Sequence, residues 1–378
     1  MRTQQFIYRD QGWRTPLPES PDSNVQVMLC FGRSRYLFET TALSDLRRCF
    51  PAARIVGCST AGEIAGTSVL DESLVVTALT MERTPLEFAA IDIDSPERSR
   101  AAGEALALQL KRPDLKHVLV LSDGLSVNGS ELVAGLSSSL PVEVTLTGGL
   151  AGDYSDFAST QAWLDRPSTK PCVVGVGFYG DTLHIGHGSL GGWDSFGPDR
   201  VITRSRGNVL YEMDGKSALG LYKEYLGDYV KDLPASGLLF PLALNQDGKD
   251  QGPVRTLLAI DEKEQSMTFA GDMPEGVSAR LMKANFDRLI EGAENAALQT
   301  QKFESRRPDF ALLISCVGRK MVLKQRVEEE TEAVQDILGE TTCYTGFYSY
   351  GEISPLKDDV KCVLHNQTMT ITTFTEIL

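Results

Sequence analysis

Short apolar runs alternate along the chain with polar loops and with stretches of amphipathic periodicity. The apolar runs have the length of buried strands and occur at residues 25–31, 54–57, 117–121, 142–147 and 310–316. Apolar side chains recur at helical spacing in residues 36–49, 98–111, 279–298 and 325–338, and a further helix is expected near 130–140. Residues 74–79 and 86–93 have high β-propensity on either side of a turn, which predicts an antiparallel hairpin.

One unit of this pattern occurs twice. Its first strand ends in Cys-x-Gly-Arg, at residues 30–33 and again at 316–319. Its second strand ends in Gly-x-x-x-x-Gly-Glu-Ile, at residues 57–64 and again at 346–353. The intervening residues are enough for one helix, and strands joined through a helix form a right-handed crossover in which they run parallel. Self-similar segments of this kind indicate a structural repeat.

A third version of the unit lies between the two copies. It has a strand that begins at His117, a helix near residues 130–140, and a strand that enters a glycine-rich loop at residues 148–153. Arginine and glutamate are missing from it, but Asp123 and Asp153 stand in the corresponding loops. We therefore predict a mixed α/β (α+β) fold of repeated strand-helix-strand crossover units, with parallel strand pairs and antiparallel hairpins.

The crossovers predict where a ligand would bind. Parallel strands end at the same edge of a sheet, and ligands of open α/β sheets bind outside that edge. Arg33 with Glu63, and Arg319 with Glu352, are thereby brought to one rim each. An arginine would bind a carboxylate and a glutamate an ammonium group, as in an amino-acid receptor. The alternative is that these residues form ion pairs that brace a duplicated scaffold.

The second rim has the richer set of polar side chains. Tyrosines would provide walls with a hydrogen-bonding tip. The predicted ligand-binding residues there are Arg319, Tyr348, Tyr350, Glu352, His365 and Asn366.

The amino-acid composition indicates which binding partners and which cellular compartment to expect. The chain has 378 residues, of which 42% are hydrophobic, and a net charge of −14, which argues against nucleic acid and anionic lipid as partners. No window approaches 18 consecutive apolar residues, so we expect no membrane insertion. Seven scattered cysteines without a CxxC pair are typical of buried thiols in a reducing cytoplasm. We expect a cytoplasmic protein.

The sequence also divides into segments. Residues 1–23 are polar and carry Pro16, Pro18 and Pro21, which predicts an N-terminal arm. Between residues 213 and 222 β-rich sequence gives way to a helical pattern. We expect one α/β domain over residues 24–215 and a second over residues 216–378.

Several phrases of the chain, in this order, resemble the FIST family of bacterial sensory proteins. They are Val56–Ile64, Gly148–Asp153, Val201-Ile202-Thr203-Arg204 with Gly207-Asn208, Gly346–Ile353, and His365-Asn366-Gln367-Thr368. The resemblance covers nearly everything beyond residue 24, as a FIST N region followed by a FIST C region. It implies an intracellular input module for a small ligand, which is an amino acid in some proposals. A stand-alone chain of this type also resembles nitric-oxide-sensing haem proteins that act with histidine kinases or cyclic-di-GMP enzymes.

If a haem b is bound, as that resemblance implies, one of four histidines would ligate it. Strand alternation puts His187 on the same face as Leu183 and Ile185, with His184 opposite. Glycines flank His187 and would leave room for a flat macrocycle, whereas His117 is expected to be exposed. His187 is therefore the predicted haem ligand, and His184 is the second choice.

We expect no enzymatic activity, although a hydrolase-like enzyme that uses Cys58 or Ser59 is the rival interpretation. The loop at residues 57–62 does not have the G-x-S-x-G spacing of a nucleophile elbow. A nucleophile also needs an orienting base, and no histidine is near in sequence. Since no catalytic output domain is visible, the signal would pass to a separate protein.

Overall fold

A computed structural model describes residues 1–154, 156–245, 252–301, 306–355 and 362–377. Its helices are α1 (Ser34–Phe38), α2 (Ala42–Cys49), α3 (Ser99–Leu110), α4 (Gly129–Ser139), α5 (Ala218–Leu226), α6 (Phe286–Thr300), α7 (Val317–Leu323) and α8 (Val327–Leu338). Among these residues, no helix is both long and apolar enough to cross a membrane.

Twenty-seven strands are described. Those of the first half are β1 (Arg2–Arg9), β2 (Gly12–Trp13), β3 (Val27–Gly32), β4 (Arg54–Cys58), β5 (Glu63–Ala65), β6 (Ser68–Leu70), β7 (Leu74–Thr80), β8 (Leu86–Asp92), β9 (Leu115–Ser122), β10 (Thr145–Leu150), β11 (Ala162–Leu164), β12 (Cys172–Tyr179) and β13 (Leu183–Leu190). Those of the second half are β14 (Asp194–Ser195), β15 (Arg200–Arg206), β16 (Val209–Met213), β17 (Lys216–Ser217), β18 (Leu242–Asn245), β19 (Val254–Arg255), β20 (Leu257–Asp261), β21 (Ser266–Phe269), β22 (Ser278–Lys283), β23 (Phe310–Cys316), β24 (Cys343–Ser349), β25 (Gly351–Pro355), β26 (Cys362–His365) and β27 (Met369–Glu376).

Three crossover units organise the fold. In each unit two parallel strands form the middle of a six-stranded sheet: β3 with β4, β9 with β10, and β23 with β24. The sheets have the orders β11-β4-β3-β7-β1-β2, β26-β25-β10-β9-β12-β8 and β13-β27-β23-β24-β5-β6. Their other pairs are antiparallel, so the predicted mixed α/β fold with parallel and antiparallel strand pairs is confirmed. The antiparallel hairpin predicted for residues 74–79 and 86–93 is wrong, because β7 pairs with β1 and β3 in the first sheet whereas β8 pairs with β12 in the second.

The first glycine of each loop motif explains why the three units share a signature. Gly57, Gly148 and Gly346 each lie opposite a residue of the parallel neighbour strand. A Cβ at any of the three would overlap the carbonyl oxygen of that neighbour. Only glycine permits so close an approach. The middle unit is therefore a structural copy, although it lacks the arginine and glutamate of the other two.

The units exchange strands in a closed cycle. The strand that follows each glycine loop leaves its own sheet and pairs with the second crossover strand of another unit. β5 of the first unit pairs with β24 of the third, β25 of the third with β10 of the second, and β11 of the second with β4 of the first. Each sheet is therefore completed by a neighbouring unit.

A ring of backbone hydrogen bonds joins the three glycine loops. In every unit the donor is the fourth residue after the first glycine, and the acceptor is the second residue after the first glycine of another unit. The bonds are Ala61 N to Tyr348 O at 2.8 Å, Gly152 N to Ser59 O at 2.9 Å, and Tyr350 N to Leu150 O at 3.3 Å. The ring follows the same cycle as the strand exchange, and it fixes the three loops against one another.

The inward faces of the three sheets pack together in one core. Phe31, Leu121, Ile314, Phe347 and Phe374 are among its buried side chains. A second, larger cluster lies between the sheets and the helices α3, α4, α6 and α8 that cover them.

Between β13 and α6 the chain forms a separate sheet, which we call the inserted sheet (residues 194–283). Its strand order is β19-β18-β22-β15-β16-β21-β20, with β14 on β22 and β17 on β16. Helix α5 packs on it through a core of its own. Strands β14 to β16 precede residue 216 but pair with strands that follow it, so this sheet begins before the predicted boundary at residue 216.

The N-terminal residues differ from the predicted polar arm. Arg2–Arg9 forms β1, which pairs with β7 over seven positions, and β2 returns against it. Phe6 and Tyr8 are buried in a small core, and Ile7 between them faces the other side of the strand. Buried side chains at period two thus fix this strand against β7, although the composition of the segment is polar.

Candidate functional site

Arg319 does not pair with Glu352 but with Glu330 of α8. Both side chains are fully buried, and an Nη2 to Oε2 distance of 2.8 Å joins them. The guanidinium also donates to the carbonyl oxygens of Gly191 and Leu289. Every donor direction of Arg319 that the structure describes thus ends on protein, so this residue is a buried brace between α7, α8 and α6.

Tyr348 belongs to the same buried network. Its hydroxyl donates to Oε1 of Glu330 at 2.7 Å, and the hydroxyl of Ser315 lies 3.0 Å from the same oxygen. Little in the local pattern indicated Glu330, because it stands in the run Glu328-Glu329-Glu330, which is typical of a solvated helix end.

Glu63 and Glu352 occupy equivalent positions and have equivalent partners. Thr60 donates to Glu63 at 2.5 Å, and Ser349 donates to Glu352 at 2.6 Å, each from three residues upstream. Both carboxyls are fully buried. Burial raises the pKa of Glu63 to about 7 and the pKa of Glu352 to about 8, while the hydroxyl donors lower both. These acids hold the start of the exchanged strands β5 and β25.

Of the other predicted residues, Tyr350 contacts the middle unit, and Arg33 lies at the first rim. The hydroxyl of Tyr350 donates to Asp153, and its ring stacks on Phe157 at a centroid distance of 4.6 Å. Arg33 lies nearer the surface, where its Nε is 3.1 Å from Glu72 and its guanidinium lies over the ring of Tyr154. Arg33 and Glu63 are therefore not a direct ion pair in this structure.

His365 and Asn366 lie in the turn between β26 and β27. Nε2 of His365 is 3.1 Å from the carbonyl oxygen of Ser354, and burial lowers the pKa of this histidine to about 4. Asn366 donates weakly to Tyr350 O, at 3.4 Å. His365 is also the cross-strand neighbour of Glu352, so the predicted set is close together around β25 and β26. Its side chains hydrogen-bond within the protein, except that the amide oxygen of Asn366 has no partner among the described residues.

The packing around the predicted haem ligand does not fit a haem. Gly186 and Gly188 alternate with His187 and face helix α6, where a Cβ would overlap the carbonyl oxygens of Thr300 and Ala296. The room that these glycines leave is therefore filled by α6. His187 is half-buried on the opposite face, beside the core that contains Leu183, and His184 is exposed.

His117 was expected to be exposed and is instead completely buried. Its ring nitrogens lie 2.7 Å from the hydroxyl of Thr145 and 3.2 Å from that of Thr147. Burial, followed by the nearby charge of His187, lowers its pKa to about 3. The alternation His117, Leu119, Leu121 was a signal for this burial, since both leucines face the central core.

Cys58 and Ser59, the nucleophiles of the rival interpretation, are also inside the protein. Burial raises the pKa of the Cys58 thiol well above its ordinary value, which disfavours the reactive thiolate. The hydroxyl of Ser59 accepts a hydrogen bond from Gln161 N at 2.9 Å. Within the described residues neither side chain has the histidine base of a nucleophilic pair.

An open cleft of about 620 Å³ lies between the crossover units and the inserted sheet. This volume is within the range of small-molecule sites, which are often at domain junctions. The wall from the second crossover unit is helix α4, with Ser130, Val133, Ala134, Ser137 and Ser138. A second wall is β26, with Cys362, Val363 and Leu364. The third wall is the inserted sheet and its loops, which contribute Leu244, Pro253, Arg255, Asp272 and Pro274. Arg100 lies at the side of α4.

Arg255 is the buried charged group among the residues that line this cleft. Its side chain is only 7% exposed, and it forms no ion pair in the part of the chain that the structure describes. It donates instead to the neutral carbonyl oxygens of Leu364, at 3.1 Å, and Asp272, at 3.2 Å. Burial lowers its pKa to about 10, and the charge of Asp272 opposes this shift, so the group is a cation at neutral pH.

The remaining polar groups of the cleft are few. The Asp272 carboxylate accepts from the side-chain amide of Asn128 at 3.2 Å. The buried hydroxyl oxygen of Ser137 has no hydrogen-bond partner among the described residues. Nothing in the sequence pattern indicated Arg255, which stands in a two-residue strand without a motif.

Two family models match this chain. Residues 26–216 match the FIST N domain, and residues 218–355 match the FIST C domain. An uncharacterized protein of Methanocaldococcus jannaschii is 22% identical over 387 aligned positions, which cover 92% of this chain and 71% of that protein. A solved structure of cyanuric acid hydrolase from A. caulinodans aligns over 100% of this chain and 99% of that chain, with 10% identity and a TM-score of 0.35.

Proposed function

Because the chain belongs to the FIST family, whose domains are sensory ligand-binding domains, we propose that it senses a small molecule in the cleft between α4 and the inserted sheet. The cleft is lined by residues from both matched regions. A ligand held there would contact the crossover units and the inserted sheet at once. Binding would thus change how these two parts are held together, which is what a sensor needs to convert occupancy into a signal.

The observation that carries this proposal is the cleft itself. The residues predicted at the second rim hydrogen-bond to protein groups, as Arg319 does with Glu330, whereas the cleft has the volume for a small molecule and is lined by Arg255, Asp272 and several serines. An amino acid remains the ligand class that the family resemblance implies, and it would bind in the cleft instead of at Arg319 and Glu352.

Its output would be contact with a separate signalling protein, a histidine kinase or a cyclic-di-GMP enzyme, and its compartment would be the cytoplasm. Both rest on the family resemblance. We propose binding without catalysis, which is supported by the burial of the Cys58 thiol. Nitric-oxide sensing through haem is the less favoured alternative, since the glycines that were expected to leave room for a macrocycle pack against α6.

A cavity-filling variant tests the proposal. Ala134 lies on the α4 wall, and Ala134→Trp would occupy the cleft. A thermal-shift screen of the twenty amino acids and a panel of organic acids should find compounds that stabilise the wild-type protein and not this variant. Ala101→Trp, on the exposed face of α3, is the matched control and should keep the response. Equal stabilisation of all three proteins would place the ligand elsewhere.

A further inference from the structure

The cleft contains a buried cation that no described carboxylate neutralises. Charged groups inside proteins are nearly always paired, because desolvation of an unpaired charge is costly. The described hydrogen bonds that offset the desolvation of Arg255 go only to neutral carbonyl oxygens, including that of Leu364 at 3.1 Å. Gly271 lies against the guanidinium, where a Cβ would come within 2.8 Å of its Nε. The local chain is therefore shaped around a guanidinium that borders an open cleft.

We infer that Arg255 binds the carboxylate of a small organic acid whose body is apolar, an inference that rests on the proposed function of the cleft. The guanidinium supplies paired donors of the geometry that a carboxylate needs. The unpartnered hydroxyl of Ser137 lies in the same cleft and is available as a further donor. Most of the remaining wall is apolar and would bury the body of the ligand: Val133, Ala134, Leu244, Pro253, Pro274, Val363 and Leu364.

The other charges of the cleft limit the charge of the ligand to one. Asp272 lines the same space and would repel a second negative charge. The other arginine there, Arg100, is half-exposed and already lies 3.3 Å from Glu131. A phosphate ester with two charges would face one uncommitted cation and one carboxylate, so a singly charged carboxylate is favoured over it.

Four six-carbon probes separate the contributions of charge and apolar body. Hexanoate carries the carboxylate, hexanamide replaces it by a neutral group of the same shape, hexyl phosphate adds a second charge, and 2-aminohexanoate adds an ammonium group that could pair with Asp272. Isothermal titration should show binding of hexanoate, of 2-aminohexanoate or of both, and at least tenfold weaker binding of hexanamide and hexyl phosphate. Equal binding of hexanamide would overturn the carboxylate assignment, and preferred binding of hexyl phosphate would do so as well.

Variants locate the binding at Arg255. Arg255→Gln should weaken carboxylate binding by about 10- to 100-fold, the range for a hydrogen bond to a charged group. Arg204→Gln, at an exposed position of β15, makes the same charge change outside the cleft and should have no effect. Ser137→Ala removes a hydroxyl that bonds to nothing in the described chain, so it should leave the unliganded melting point unchanged and weaken binding several-fold. This variant keeps the test decisive if Arg255→Gln does not fold.

The outcomes also distinguish this inference from the proposed function. Carboxylate binding that survives both Arg255→Gln and Ser137→Ala but is lost in Ala134→Trp would sink the role of Arg255 and leave the cleft as the ligand site. The same conclusion would follow if none of the four probes bound while other compounds still bound the wild-type protein and not Ala134→Trp. Binding that survives Ala134→Trp would contradict both.

Discussion

Arg319 and Glu330 form a fully buried ion pair, with an Nη2 to Oε2 distance of 2.8 Å. Arg319→Ala would leave the carboxylate of Glu330 buried without its counter-charge. We expect this variant to lower the free energy of unfolding by about 3–5 kcal/mol, which chemical denaturation would measure. The duplicated sequence supplies the control, since Arg33 occupies the equivalent position at the partly exposed first rim. Arg33→Ala should cost about 0–1 kcal/mol, and equal losses in both variants would contradict the brace.

Stability should fall as the pH rises through neutrality. The carboxyls of Glu63 and Glu352 have folded-state pKa values of about 7 and about 8, both raised by burial above the ordinary value of 4.5. The folded state therefore binds protons that the unfolded chain releases above pH 4.5, so this contribution to stability is complete below that pH and is lost as the pH rises through the folded values.

Melting curves recorded between about pH 5 and about pH 9 would measure this loss, because this interval includes the folded-state pKa values of both carboxyls. Glu352→Gln keeps a neutral, hydrogen-bonding side chain at all pH values and should flatten the decline. Glu97→Gln changes an exposed carboxyl outside these loops and should leave it unchanged. A wild-type melting point that rises over the same interval would contradict the prediction.

Haem should not bind stoichiometrically beside His187. The two glycines that flank His187 pack against helix α6, so they do not provide the open space that a macrocycle needs. Protein purified from haem-supplemented cells should therefore show no stoichiometric Soret band in its visible spectrum. A Soret band that disappears in His187→Ala, with unchanged far-ultraviolet circular dichroism, would establish the haem site instead. His184→Ala changes an exposed histidine of the same strand and is the matched control.

Cys58 should resist alkylation in the folded protein. It is completely buried, and burial raises the pKa of its thiol far above the pH of an ordinary labelling reaction. Iodoacetamide followed by peptide mass spectrometry should label Cys343, which is only partly buried, before Cys58. Both should react once the protein is denatured. Faster labelling of Cys58 would revive the interpretation of this loop as a nucleophile.

The crossover units were predictable because their signals are local. An apolar run, a glycine at a close strand approach and an acid six residues later, as in Gly57 and Glu63, occur within a few residues of one another. The partners of the predicted site residues were not predictable, since they come from distant segments. Arg319 was expected to face Glu352, yet α8 brings Glu330 to it.

The candidate site was missed for a related reason. Arg255 lies in a strand of two residues, and only the assembled fold shows that its guanidinium is buried without a carboxylate. The N-terminal strand was missed although Phe6-Ile7-Tyr8 carries its signal, because three apolar residues in a polar segment are a weak pattern.

The cyclic exchange of strands also sets the order in which the protein can be completed during synthesis. The ribosome releases β5 early, but the strand it pairs with, β24, is translated almost at the end of the chain. Until then β5 has an unpaired edge, and β10 waits for β25. A nascent chain that has emerged only as far as residue 216 can assemble its first sheet, but it exposes open edges in the second, and such edges invite pairing with other chains. The last crossover unit, by pairing with these open strands, thus protects the first two units from aggregation.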